Sequence, residues 1–197
     1  LPIKEVIRMN KWMMLLIGLA AINTSLTAQF KAPGIDKSPM DMSYYPANYP
    51  VLKIQNKDAE PLTFRVVYSR PQKNGRGVFG ELIEYGKVWR LGANEATEID
   101  IYRDVKIGET RLKKGRYSLF AIPYPDRWTL IFNKDTDMWG AFLYDEKKDA
   151  LRTEIKTEKL AEPVEAFTLV FEKTDSGANM IMAWDDVKAS LPITFIK

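Results

Sequence analysis

From Val51 onward the chain repeats with a period of two. Leu62, Phe64, Val66 and Tyr68 alternate with Thr63, Arg65, Val67 and Ser69, and Trp128, Leu130 and Phe132 alternate with Thr129, Ile131 and Asn133. Successive side chains of a strand point to opposite faces, so this pattern specifies strands with one face in a core. Turn residues punctuate the pattern at short intervals. Gly108-Glu109 sits between residues 105–107 and 110–112, Pro123-Tyr124-Pro125-Asp126 follows residues 117–122, and Asp175-Ser176-Gly177 joins 167–172 to 179–184. Residues 117–122 are apolar on both faces and predict a central strand. Residues 99–102, 151–156 and 189–196 add further strand signals. Nine or ten short strands with frequent turns predict an all-β fold: a single-domain antiparallel β-sandwich, jelly-roll-like. The expected core includes Leu62, Phe64, Val66, Leu119, Phe120, Leu130, Phe132, Leu169 and Phe171. Helix signals amount to one or two short turns, at Phe79, Leu82 and Ile83 and at residues 146–150.

The N-terminal region reads differently. Met9-Asn10-Lys11 is a short basic start, residues 12–22 are apolar and small, and residues 23–28 end in Thr27-Ala28. That order predicts a secretory signal peptide, with the mature chain starting near Gln29 and working in the periplasm or outside the cell. The apolar run is too short to cross a bilayer of about 30 Å as a helix, so no stable membrane anchor is expected after leader cleavage. Residues 1–8 precede Met9 and are expected to carry no structure. The predicted organisation is therefore residues 1–28 as upstream residues plus signal peptide, 29–50 as an arm rich in Pro and Tyr, and 51–197 as the β-sandwich. Removing Lys4, Arg8, Lys11 and Glu5 takes Lys+Arg from 29 to 26 and Asp+Glu from 26 to 25, so the net charge falls from +3 to +1. A near-neutral mature chain gives no electrostatic case for nucleic acid.

The 197 residues contain no Cys and no His. A disulfide framework and a lipoprotein anchor are both ruled out, and the fold stands on its core alone. The commonest general base, the commonest metal ligand and the Ser-His-Asp and Cys-His machines are missing together. Asn133, Asp135 and Asp137 imitate the start of a calcium loop, but Met138 stands where that loop needs Gly and Tyr144 where it needs Glu. Gly75-Arg76-Gly77 lacks the Lys-Ser/Thr of a phosphate-cradling loop. The sequence therefore predicts no metal and no cofactor.

Residues 68–97 are the segment most suited to binding. Long connections inside compact β domains are uncommon and are often functional. This one holds Arg70, Arg76 and Arg90 with Trp89, Tyr85, Asn94 and Glu95. The three guanidinium groups could converge on an anion, since their planar forks match carboxylate and phosphate. Trp89 and Tyr85 could form a stacking floor for a sugar or ring. Asn94 offers donor and acceptor, and Glu95 could orient an arginine or act as acid or base. A purely structural role competes: Arg90 pairing Glu95, Trp89 plugging the core, and Gly86 and Gly92 supplying backbone freedom.

The string Tyr68-Ser69-Arg70-Pro71, followed by Gly86-Lys87-Val88-Trp89-Arg90-Leu91-Gly92-Ala93-Asn94-Glu95-Ala96-Thr97, resembles a secreted bacterial family of unknown function. Gly115-Arg116-Tyr117-Ser118-Leu119-Phe120 and Trp128-Thr129-Leu130-Ile131-Phe132-Asn133 extend the likeness from about residue 38 to the end of the chain. The resemblance implies export and one domain, and it supplies no activity or catalytic residue. Three functions stay open on the residues alone. The first is binding of a small polar or anionic ligand, a glycan among the candidates, through Arg70, Arg76, Trp89, Arg90, Asn94 and Glu95. The second is a carbohydrate-directed hydrolase using Glu95, paired with Glu81 or Glu84 across a cleft. The third is a structural module with an inert, packed loop.

Overall fold

The segments of period two are strands. The computed structural model describes residues 29–55 and 60–196. The described strands are β1 (Met40–Tyr45), β2 (Phe64–Ser69), β3 (Thr97–Ile101), β4 (Val105–Ile107), β5 (Thr110–Leu112), β6 (Gly115–Pro123), β7 (Arg127–Asn133), β8 (Asp149–Lys173) and β9 (Gly177–Phe195). The leader read in residues 9–28 lies outside the described residues. Residues 29–34 belong to a unit separate from the β domain, have no regular structure and are exposed.

Every ladder is antiparallel, in the order β1-β2-β3-β6-β7-β8-β9-β4-β5. β8 makes this ladder into two layers. Its residues 149–156 pair with β7, and residues 157–173 pair with β9 through two register shifts. One strand thus ends the first sheet and begins the second. Strands far apart in ladder order then meet through their side chains. Phe64 of β2 stacks on Phe171 of β8 at 5.1 Å, Tyr45 of β1 meets Phe195 of β9 at 5.1 Å, and Tyr68 meets Phe167 at 5.8 Å. The described domain is mostly β, an antiparallel β-sandwich, and its core lies between these faces.

The pattern read in the sequence holds in β2, β3, β6 and β7. Phe64, Val66, Leu119, Phe120, Leu130, Phe132, Leu169 and Phe171 are buried. Leu62 is an exception: β2 begins at Phe64, and Leu62 is only half-buried ahead of it. Residues 151–156 and 167–172 read as separate strands and are parts of β8, because the polar stretch between them stays extended while its register shifts. The turn expected from Phe79, Leu82 and Ile83 is not helical. Gly80, at φ 89°, folds the segment so that its N–H donates to the Ile83 carbonyl at 2.8 Å, and Phe79 packs on Trp128 at 5.1 Å. Residues 146–150 do give a turn, a 3-10 helix over Glu146–Lys148. Residues 51–55, where the sequence predicts a period of two, belong instead to a seven-residue helix, α1 (Tyr49–Gln55), which follows β1. Pro50 fits there because first-turn N–H groups have no helical partner to lose.

Candidate functional site

β3 is short and pairs only with residues 115–119 of β6. The upper half of β6 is therefore left with a free edge, and the connection between β2 and β3 takes it. Trp89 and Ala121 exchange both backbone hydrogen bonds, at 2.7 and 2.9 Å, and Gly86 donates to Pro123 at 2.9 Å. Alternation at this one-residue ladder sends Trp89 to one side and Val88 and Arg90 to the other. Trp89 goes inward. It is 5% exposed, donates from Nε1 to the Gly92 carbonyl at 3.0 Å, and is ringed by Phe79, Trp128, Phe167 and Trp184 at 5.3–6.0 Å. It offers no face to a ligand.

The arginines do not converge. Arg70 ties strands together: it donates from Nη1 to Asp41 Oδ2 of β1 at 3.1 Å, from Nε to the Phe167 carbonyl at 3.2 Å and from Nη2 to Thr168 Oγ1 at 3.0 Å. Arg76 folds back on its own turn, donating to the carbonyls of Lys73 at 2.8 Å and Gln72 at 2.7 Å. Arg90 differs from both. Its Nε is fully buried with no hydrogen-bond partner, and among the described residues no carboxylate pairs with it. Burial alone holds the Arg90 pKa below its ordinary value. The Arg90–Glu95 pair considered from the sequence is not formed, because the turn between them carries the two apart. Leu91 and Asn94 are both left-handed, at φ 55° and 58°, and Thr97 N–H closes the turn on the Arg90 carbonyl at 3.1 Å.

That turn delivers residues 94–96 to a second loop. Gly140 N–H donates to the Asn94 carbonyl at 2.8 Å, Ala96 N–H donates to Met138 at 2.8 Å, and Glu95 bridges Trp139 antiparallel. Asn94 serves the site through its backbone. Directly opposed residues of an antiparallel bridge project to the same side, so the exposed Glu95 and Trp139 side chains stand together. Their neighbours Ala96 and Met138 point the other way, onto Phe120 and Ile131 of the outer sheet face, where Val88, Ala141 and Tyr144 complete a small second core.

The second loop, residues 134–148, is fastened at its base. Buried Asn133 donates from Nδ2 to Asp149 Oδ1 at 2.7 Å and to the Asp145 carbonyl at 3.0 Å, and its Oδ1 accepts from Asp135 N–H at 2.9 Å. Tyr144 donates to Asp149 Oδ2 at 2.8 Å, and Arg152 donates to both. Desolvation, then the bond to Asp149, push the Tyr144 phenol up to about 12. The residues that imitate a calcium loop are engaged as well: Asp135 accepts from Lys148 at 2.6 Å and Asp137 from Arg116 at 3.0 Å.

The tip of this loop is bare. Trp139, Phe142 and Leu143 are 61%, 82% and 79% exposed. Gly140 between them is left-handed at φ 67°. A Cβ added there would lie 2.9 Å from the Phe142 ring, so Gly140 is what lets the ring approach, and Arg90 Nη1 would be in ordinary contact at 3.7 Å. Two shallow clefts flank the strip. One, about 170 Å³, includes Arg90, Trp89, Lys87, Glu84, Val88 and Ala141 in its lining. The other, about 190 Å³, includes Glu95, Glu98, Arg116, Asp137 and Met138. Glu98 and Asp137 are both held by Arg116, which leaves Glu95 as its unpaired carboxylate among the described residues. Tyr85, the other stacking candidate, is partly exposed and leans on Gly80.

Sequence reasoning passed over Trp139, Gly140 and Phe142. The available signal was the apolar run Met138-Trp139-Gly140-Ala141-Phe142-Leu143, set between charged residues and lacking strand alternation. No curated protein and no solved structure matches the chain. Residues 51–193, which leave out the first strand, the start of α1 and the last residues of β9, match the family described as "Protein of unknown function (DUF2911)", and the chain belongs to that family.

Proposed function

We propose that this is an exported β-sandwich protein that binds a small polar or anionic ligand, a glycan among the candidates, on the outer sheet face around Arg90. The observation that carries the reading is the Arg90 guanidinium. Buried polar atoms in folded proteins are almost always partnered, and an orphan needs an explanation. A buried arginine nitrogen without a carboxylate costs stability; Nε itself is closed to solvent, so an anion in the Arg90 cleft would offset the cost by supplying the guanidinium with a counter-charge. The neighbouring arginines strengthen the contrast, since Arg70 and Arg76 both bond to acceptors within the fold. Within the predicted set, Arg90 and Glu95 would contact ligand, Asn94 would set the backbone, and Arg70, Arg76 and Trp89 would hold the frame.

The experiment is a thermal-shift screen of the mature chain against anions and oligosaccharides, because a ligand specific to the native state raises its melting temperature. The expected result is a ligand whose shift disappears in Arg90→Met. A screen with no shift, or one unaffected by Arg90→Met, would leave the loop as a packed structural element. Residues 1–28 would be the leader and 29–50 the arm; N-terminal sequencing of exported protein should find a start near Gln29, and a start at Met9 in the cytoplasm would defeat that part.

A further inference from the structure

We infer that the ligand is an acidic oligosaccharide, a chain of sugar rings bearing carboxylates among hydroxyls; the inference rests on Arg90 being a ligand contact. The first argument is charge. The Arg90 cleft holds Arg90 and Lys87 against Glu84, and Glu95 stands beside the strip. This is a balanced set. A phosphate dianion gains most where cations cluster, and the two carboxylates here repel it about twice as strongly as they repel a singly charged ring carboxylate. A neutral sugar would leave the guanidinium without its counter-charge. One carboxylate per ring matches Arg90, whose fork takes both oxygens.

The second argument is shape. The clefts are each smaller than the pockets that enclose a compact ligand, about 300–1,000 Å³. Met138 lines one and Ala141 the other, the residues that flank Trp139-Gly140 in the chain. A ligand that reaches from Arg90 to Glu95 therefore crosses Trp139 on the surface instead of sinking into a hole. Sugars suit that path, because an exposed indole stacks on the apolar face of a ring while hydroxyls at its edge donate to a carboxylate such as Glu95.

The third argument is fit without rearrangement. Gly140 already holds Arg90 Nη1 and the Phe142 ring against the same backbone position, and the base of the loop is fastened by Asn133, Asp149 and Arg152. The ligand would meet a formed surface, which lowers the ordering cost of binding.

The test applies the mature protein to an array of carboxylated, sulfated and neutral oligosaccharides, followed by calorimetry on the best carboxylated binder, on its neutral counterpart and on inorganic phosphate. Retention of carboxylated chains is expected, with affinity falling about tenfold or more in Arg90→Gln and in Trp139→Ala. Trp139 is a surface residue, so its variant keeps the fold and isolates stacking. Equal binding of the neutral counterpart, preference for sulfated chains, or an unchanged Trp139→Ala would overturn the acidic-sugar inference. Phosphate or a simple carboxylate binding through Arg90, with no sugar retained, would overturn it too but leave the Arg90 reading standing. If neither sugars nor anions bind, both fall.

Discussion

Arg70 and Arg90 stand near the two ends of one connection, and the fold treats them in opposite ways. Arg70 reaches three acceptors on β1 and β8 and closes the sandwich where the ladder does not. Arg90 sits beside the bare aromatic tip of another loop with a buried nitrogen that nothing accepts. The difference shows how to divide a motif rich in arginine and aromatics. Side chains whose partners lie within the protein are part of its frame. A side chain that is desolvated and left unpartnered is a candidate for something that arrives from outside.

This contrast can be broken by mutation. Trp89→Ala should have the largest effect, because it empties the centre of the aromatic cluster that anchors the connection; a loss of about 3–5 kcal/mol in urea unfolding is expected. A loss under about 1 kcal/mol would mean that the connection is held elsewhere. Arg70→Ala comes next. Its three bonds are partly solvent-screened, so a cost of about 1–2 kcal/mol is expected by the same measurement, and no cost at all would erase its distinction from Arg90.

Tyr144→Phe removes the phenol that fastens the second loop and should cost about 1 kcal/mol at neutral pH. It also carries a pH signature. The folded-state Tyr144 pKa is raised from 10 to about 12, so its contribution is complete below pH 10 and is lost as pH climbs towards 12. Stability of the parent protein should fall across that window more steeply than stability of the variant. Parallel curves would remove Tyr144 from the fastening network. Arg90→Met should have the smallest effect on stability, about 0.5 kcal/mol or less in either direction, because it deletes an orphaned donor and keeps the apolar stem. A large destabilisation would show that Arg90 is framework after all and that the contrast with Arg70 is false.

Much of the fold was legible because its cause is local. Alternation at Phe64–Tyr68, Ile99–Ile101 and Trp128–Phe132 reports which face is buried, and Gly108, Gly115 and Gly177 mark the turns. What the sequence concealed depends on distant partners. β8 reads as two strands because its middle, residues 157–166, lacks strand alternation and contains Pro163, and distant partners, β9 and the segment at residues 71–73, keep it extended. α1 was hidden by Pro50, which is a breaker in most positions and harmless in a first turn. The candidate site was legible in half. The 86–97 string drew attention to Arg90 and Glu95, but nothing local says that Trp89 faces inward while Arg90 faces outward. That assignment comes from the free edge of β6. The apolar run 138–143 marks Trp139, but its place beside Glu95 was hidden for the same reason: that relation exists only through a backbone bridge between segments over forty residues apart.

The shared strand β8 also bears on how the molecule comes apart. Neither sheet owns it. Unzipping β8 from β9 strips the second layer from the aromatic faces of β1 and β2, and unzipping it from β7 exposes Phe132 and Trp128 in the first. No half of the sandwich retains a complete interior once the other is gone. The expected melting behaviour is therefore a single cooperative transition, with the calorimetric and van't Hoff enthalpies equal. A chain stopped after residue 156 would lose β9 together with the second part of β8, and should be unable to fold even though β1, β2, β3, β6 and β7 are all present.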